Sequence, residues 1–210
     1  KDIKILVTGE RNGATIAEGT ALQLTAGNVA ASTDATYQIA DQDFTMELWM
    51  NISKGYGNLV QHGTDDNHFR VGIDSVGHLT VDIGNGSTVH RSDAAISFDH
   101  DTYLYYCYQQ ADGNPRFSAT AFDANGTTTL FQNLSVAAYS GNGRLSLGGG
   151  QLTGRIHDLT LWNQARSADT SLAQRDYTKT AQTQGLIGYW RMNEGHGTQI
   201  RDYVQNRNFT

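Results

Sequence analysis

GRIHDLTLWNQARS, residues 154 to 167, is the stretch on which the fold turns. It reads as a β-strand, then a turn, then the first residues of a short helix. Side chains alternate across a strand. His157, Leu159 and Leu161 are therefore expected on one face, and Ile156, Asp158, Thr160 and Trp162 on the other. Ser167 suits an N-cap, and Asp169 falls in the first turn, where a carboxylate meets unpaired amides. Leu172, Ala173 and Tyr177 would line one side of a helix near 167–177.

Working outward, the sequence continues in the same period. In DFTMELWMNI, 43–52, Phe44, Met46, Leu48 and Met50 share one face, and Thr45, Glu47 and Trp49 the other. Four apolar side chains at period two imply burial between sheets, each contributing roughly 1.5–3 kcal/mol. NLVQHG, HFRVGID and HLTVDIG follow, bounded by Gly, Asp and Asn, with Asn85-Gly86 as a two-residue hairpin signal. YLYYCYQQ, 103–110, is dense in β-formers. Tyr103, Tyr105 and Cys107 share one face; Leu104, Tyr106 and Tyr108 share the other. Both faces are partly apolar, as in a central strand covered on each side. PRFSATAF, TTLFQNLSVA and LSLGGG read as further strands, and Lys1 to Gly19 as a lead-in strand and loop. Short strands between Gly, Asn and Asp turns predict an all-β, two-sheet antiparallel sandwich.

The 210 residues are within reach of one sandwich domain. A chain of this length buries roughly 70% of its unfolded surface and needs no disulfide staple. Cys107 is the single cysteine, and 23 glycines against one proline suit many tight turns. The formal charge is -6 and no basic run is present, so neither nucleic acid nor an anionic membrane surface is expected as a partner. No apolar run reaches the ~18 residues needed to cross a bilayer. The start at Lys1, without Met or a signal peptide, suggests a piece of a longer processed protein. Asn51, Asn85, Asn125, Asn133 and Asn208 begin N-x-Ser/Thr sequons, which matter only in a eukaryotic secretory host.

The stretch at 154–167 resembles GxIDEVRIWNxARS, a strand of the LamG-like (laminin G-like, pentraxin-type) domains among the concanavalin A-like jelly rolls. Other segments resemble that family in its order. TALQLTAG at 20–27 is similar to ALxFDG, and FTMELWMN to FTIEAWVK. The hairpins are similar to ILSKG…FxLGLDxxGxLxFxVGNG, 103–113 to WxHVAVTYDG, and LSLGGG to LxIG. GLIGYWRMNEGHGTQIRD at 185–202 is similar to GLVGYWRFDEGSGTxxxD. The resemblance covers about residues 20–203 and implies one domain over 1–210. Its expected architecture is a jelly-roll sandwich with one curved sheet and one short helix.

The resemblance also implies a function: a non-catalytic recognition module, extracellular or on a cell surface, within a larger protein. It would bind glycan or adhere to a cell-surface or matrix protein, beside neighbouring modules of its parent chain. The alternative is a structural or protein-interaction module with no small ligand. The family often holds one structural Ca²⁺ through an aspartate, but His157 stands at that position and the aspartate expected near Thr25 is absent. Ca²⁺ takes six to eight oxygens. If a bulge turns Asp158 inward, Asp158 and the carbonyls of Gly27 and Asn28 are the candidate ligands.

Sugar binding needs exposed rings to stack on pyranose faces and polar groups for the hydroxyls. Trp49, Tyr103, Tyr105, Tyr106 and Tyr108 are the candidate rings; Glu47, Asn58 and Gln109 are the candidate polar contacts. Trp162 and Trp190 are expected to be structural. Glycoside hydrolysis with retention needs two carboxyls about 5–5.5 Å apart. The glutamates are Glu10, Glu18, Glu47 and Glu194, and none has a carboxylate at that spacing on its own strand. Asp43 and Glu47 are four residues apart, roughly 13 Å along a strand. The histidines show no zinc-type pairing and no GxSxG elbow is present, so no catalytic residue is assigned. Asp65-Asp66-Asn67 is expected to be a solvated loop.

Overall fold

Alternating sequences settle as strands when a second sheet is available to take their apolar faces. The computed structural model describes residues 21–84, 87–195 and 199–209, with the backbone alone over 30–36. The lead-in at 1–19 and the Asn85-Gly86 hairpin turn lie outside the described residues. The first sheet holds β1 (Leu22–Leu24), β3 (Phe44–Lys54), β8 (Thr102–Gln109), β9 (Arg116–Asp123), β10 (Gly126–Ser135), β12 (Thr153–Trp162) and β13 (Leu186–Trp190). Its order is β1-β12-β3-β8-β9-β10, and β13 also pairs β12. The second sheet holds β2 (Val29–Thr36), β4 (Gly57–Gly63), β5 (His68–Ile73), β6 (His78–Gly84), β7 (Val89–Ala95) and β11 (Arg144–Gly148), in the order β2-β11-β4-β5-β6-β7. Every ladder is antiparallel. The expected two-sheet sandwich is the one observed.

Phe44, Met46, Leu48 and Met50 are fully buried between the sheets, in one core with Phe69, Val71, Leu79 and Val81. Within that core His62 is fully buried. Its Nε2 lies 3.1 Å from the Tyr37 carbonyl, which can only accept, so Nε2 carries the hydrogen and Nδ1 accepts from the Tyr139 hydroxyl. Burial pushes the His62 pKa down to about 4, against a smaller opposing pull from the Tyr37 carbonyl.

Two local expectations are corrected. In β12, His157 pairs Trp49 but Thr160 pairs Glu47, so Asp158 and Leu159 together oppose Leu48. Asp158 has a positive φ of 50°. This is a β-bulge, and it shifts the alternation by one residue. Ile156 therefore joins Leu159 and Leu161 in the core, while His157 crosses to the outer face, its ring stacked 6.3 Å from Trp49. The helix is also shorter than expected: α1 (Ala168–Ala173) has Ser167 as N-cap, accepting from the Thr170 amide, and Asp169 in its first turn. Because α1 stops at Ala173, Tyr177 leaves the helical phase and is 67% exposed. Ala168, Ser171 and Leu172, not Ala173 and Tyr177, face inward. Trp162 and Trp190 are buried, as expected of structural residues.

Candidate functional site

The outer face of the first sheet carries most of the residues expected to meet a ligand, and the chain itself covers it. Beyond Trp162 the backbone folds back over β3 and β8. The Thr45 hydroxyl donates to the Gln164 carbonyl at 2.9 Å and accepts from the Arg166 amide at 3.0 Å. Arg166 Nε donates to Glu47 Oε1 at 3.0 Å, and Thr160 Oγ1 donates to Glu47 Oε2 at 3.0 Å. The guanidinium lies 3.8 Å from the centre of the Trp162 ring and also donates to Gln174 Oε1. The Tyr103 hydroxyl donates to the Ser171 carbonyl, and the Tyr105 hydroxyl to the Arg166 carbonyl. A carboxylate taken out of water needs such a partner and filled lone pairs.

Glu47, Trp49, Tyr103 and Tyr105 are consequently buried under α1 and the 163–167 turn. Burial pushes the Tyr103 and Tyr105 phenols and the Cys107 thiol up. Tyr106 and Tyr108 point the other way and are fully buried in the inter-sheet core. None of these five rings is exposed for stacking on a sugar, which corrects the expectation for each of them and for Glu47. Gln109 is half-buried at the end of β8, paired with Arg116 and away from any cleft.

The expected calcium ligands do not come together either. The bulge is present, but Asp158 Oδ2 meets His157 Nδ1 at 2.8 Å and Oδ1 accepts from the Tyr189 hydroxyl at 2.9 Å. β1 runs along β12 from Leu22 opposite Ile156 to Leu24 opposite Gly154, and the Gly27 amide donates to the Gly150 carbonyl. Gly154 is four residues, roughly 13 Å, from Asp158, and Gly27 lies beyond it. Asp158, Gly27 and Asn28 therefore do not fit one Ca²⁺. Among the described residues no group of three or more His, Cys, Asp or Glu side chains is placed to hold a metal.

The outer face of the second sheet is different. Across β11, β4, β5 and β6, register sets Ser146, Gln61, Arg70 and Asp82 in one outward row. Asn58, Gly72, Thr80 and Arg91 form the next. The second row has a gap. A Cβ on Gly72 would lie 2.5 Å from the Gly57 carbonyl oxygen, so no side chain can stand there. Beside the gap lies a cleft of about 430 Å³ walled by Tyr56, Asn58, Asp74 and Thr80, with Gly57, Ile73 and Ser75 completing it. Tyr56 is 54% exposed. Asp74 Oδ2 accepts from Arg91 Nε at 2.6 Å, and Oδ1 accepts from the Val76 and His78 amides. Burial would raise the Asp74 carboxyl, but Arg91 and the two amides outweigh it and hold the pKa at about 2.

Of the residues expected to bind ligand, Asn58 alone lines this cleft. Tyr56, Asp74 and Thr80 were not anticipated. The sequence did carry a signal for Tyr56: it stands between Gly55 and Gly57, in a turn where no strand face can bury a ring.

No protein-family model matches the chain, and no curated protein matches it. Solved structures do. A proposed carbohydrate-binding protein from Bacteroides ovatus is 17% identical at a TM-score of 0.58, covering 90% of this chain, which spans 58% of that one. A native heptameric SAP-like pentraxin from Limulus polyphemus is 14% identical at a TM-score of 0.50, covering 72% of this chain and 80% of its own. The CBM40 of a Ruminococcus gnavus IT-sialidase, bound to α2,3-sialyllactose, is 13% identical at a TM-score of 0.50, covering 72% of this chain and 94% of its own. Together with the two-sheet topology, these similarities show the concanavalin A-like jelly-roll fold.

Proposed function

We propose that this chain is a carbohydrate-binding module whose ligand lies in the Tyr56–Asp74 cleft on the second sheet. One observation carries the reading: an exposed tyrosine lines a cleft together with an amide, a hydroxyl and a carboxylate, those of Asn58, Thr80 and Asp74. A ring gives a pyranose an apolar platform, and the polar groups orient its hydroxyls. The carbohydrate-binding neighbours among solved structures support the class. On this reading the chain works without catalysis, as one module of a larger secreted or surface protein. Glu47, held by Arg166 and Thr160, is not offered to a glycosidic bond.

The test is a glycan array probed with the protein and with Tyr56→Ala. The parent should bind at least one glycan, and the variant should lose that signal while melting at the same temperature. Equal binding by the variant would remove the cleft from consideration.

A second reading, adhesion to a protein, is favoured by one feature. Val29 at the start of β2, Tyr56 beside the 149–151 loop and Val76 in the turn between β5 and β6 are all exposed. Val76→Ser would then weaken adhesion to the partner protein and leave glycan binding intact.

A further inference from the structure

The charges around the cleft say what kind of glycan it suits; the argument rests on the glycan-binding reading above. On β4 to β7 the lysines and arginines are Arg70 and Arg91 alone. Both are already engaged by carboxylates. Arg70 Nη2 donates to Asp65 Oδ1 at 2.9 Å, its Nη1 lies 3.8 Å from Asp82 Oδ2, and its Nε donates to Gln61 Oε1. Arg91 is held by Asp74 at 2.6 Å. The histidines of the outward rows are engaged as well: His68 is buried against Asp82, and His78 Nδ1 meets the Ser92 carbonyl. Asp74 is thus paired with Arg91, and Asp65 and Asp82 flank Arg70. The lining of the cleft itself contains one charged side chain, and that is the Asp74 carboxylate.

Hydrogen-bond supply points the same way. Asp82 Oδ1 is buried and has no donor. An ionised carboxylate only accepts, so Asp74 in the cleft lining can take a hydrogen from a ligand but cannot give one. Sugar hydroxyls bring donors. A carboxylate or sulfate on the sugar brings more acceptors and a like charge, at a position whose lining holds no cation.

We propose that the cleft takes uncharged pyranosides and discriminates against glycans whose residue at this position is acidic. The structural reason is local: the one charge in the cleft lining is the Asp74 carboxylate, and the guanidinium it holds, that of Arg91, is not part of that lining.

The experiment is an array of matched pairs, each neutral oligosaccharide printed beside its 3′-sialylated or glucuronylated counterpart. It is read with the full chain and with Tyr56→Ala as background. Neutral members should bind at least about tenfold more tightly than their acidic counterparts at low salt, with the gap narrowing as salt rises. Asp74→Asn, which frees Arg91, should cut the preference to under about threefold. Asp65→Asn, in the turn at the opposite end of β4 and β5, is a distant control and should leave the preference unchanged. Acidic members bound as tightly as neutral ones would overturn this inference and leave the cleft as a glycan site. A preference unchanged in folded Asp74→Asn, or one that does not narrow as salt rises, would overturn its electrostatic origin. Binding by no pair above the Tyr56→Ala background would overturn the glycan reading itself, and this inference with it.

Discussion

The outward faces of the two sheets are built by the same alternation and end in opposite states. On the first sheet, Glu47, Trp49, Tyr103 and Tyr105 stand outward and are buried under α1. On the second, Gln61, Arg70 and Thr80 stand outward and partly exposed, and a cleft opens beside them. The difference lies in what the rings require. A face of tryptophan and tyrosine gains by leaving water, so a covering segment is stabilised there. The buried Glu47 carboxylate on that face then needs a cation, which Arg166 supplies. A face of amides, hydroxyls and paired charges has no such gain and stays open. Aromatic residues on the non-core side of a strand therefore mark where the chain covers itself as readily as where a ligand binds.

The sharpest way to break this contrast is Arg166→Ala. It leaves Glu47 buried with Thr160 as its remaining donor and uncovers Trp162, so urea unfolding should show a loss of roughly 3–5 kcal/mol. A loss below about 1 kcal/mol would mean that the cover is held by something other than this pair.

Acid should produce the next largest effect. His62 has a folded-state pKa of about 4 against an ordinary 6.5, so the unfolded chain takes the proton more readily. Its contribution is fully present above pH 6.5 and is lost as pH falls toward 4, amounting to roughly 3 kcal/mol. Urea midpoints at pH 7, 5.5 and 4 follow this limb, and His62→Gln should flatten it. A level profile in the parent would show that the ring is not desolvated.

On the open face the same experiments should give little. Arg70→Ala removes a guanidinium 26% exposed from an Asp65 carboxylate 94% exposed, and should cost under about 1 kcal/mol. A cost matching that of Arg166→Ala would erase the distinction between the faces. The smallest effect belongs to Asp74. Its pKa is depressed from 3.8 to about 2, so its contribution holds above pH 4 and fades as pH falls through 2. The melting-temperature gap between parent and Asp74→Asn should shrink from pH 4.5 to pH 2.5; a constant gap would mean that Arg91 contributes nothing there.

Much of the scaffold was legible in the sequence because its physics is local. Phe44 to Met50 and Tyr103 to Tyr108 alternate without interruption, and each residue lies on the face that period two assigns. The bulge at Asp158 was not fixed by the pattern, because a positive φ at an aspartate is imposed by the ladders on either side. The candidate site was less legible. The burial of Tyr103 and Tyr105 depends on Arg166 reaching Glu47, 119 residues away in the chain, and no window of sequence contains that contact. The cleft depends on Gly57 and Gly72 meeting across two strands, where the informative fact is the absence of a side chain. Tyr56 between two glycines was the one local clue.

The position of β12 has a consequence in time. It pairs β3 on one edge and β1 and β13 on the other, so the first sheet stays incomplete until Trp162 has been made. At roughly 5–20 residues per second, about 5–20 s separate the synthesis of Met50 from that of Trp162. Throughout that interval β3 presents an unpaired edge beside four uncovered apolar side chains, the template on which nascent copies of one chain adhere to each other. The rate at which residues 50–162 are translated therefore sets how long that edge stays open to neighbouring nascent copies.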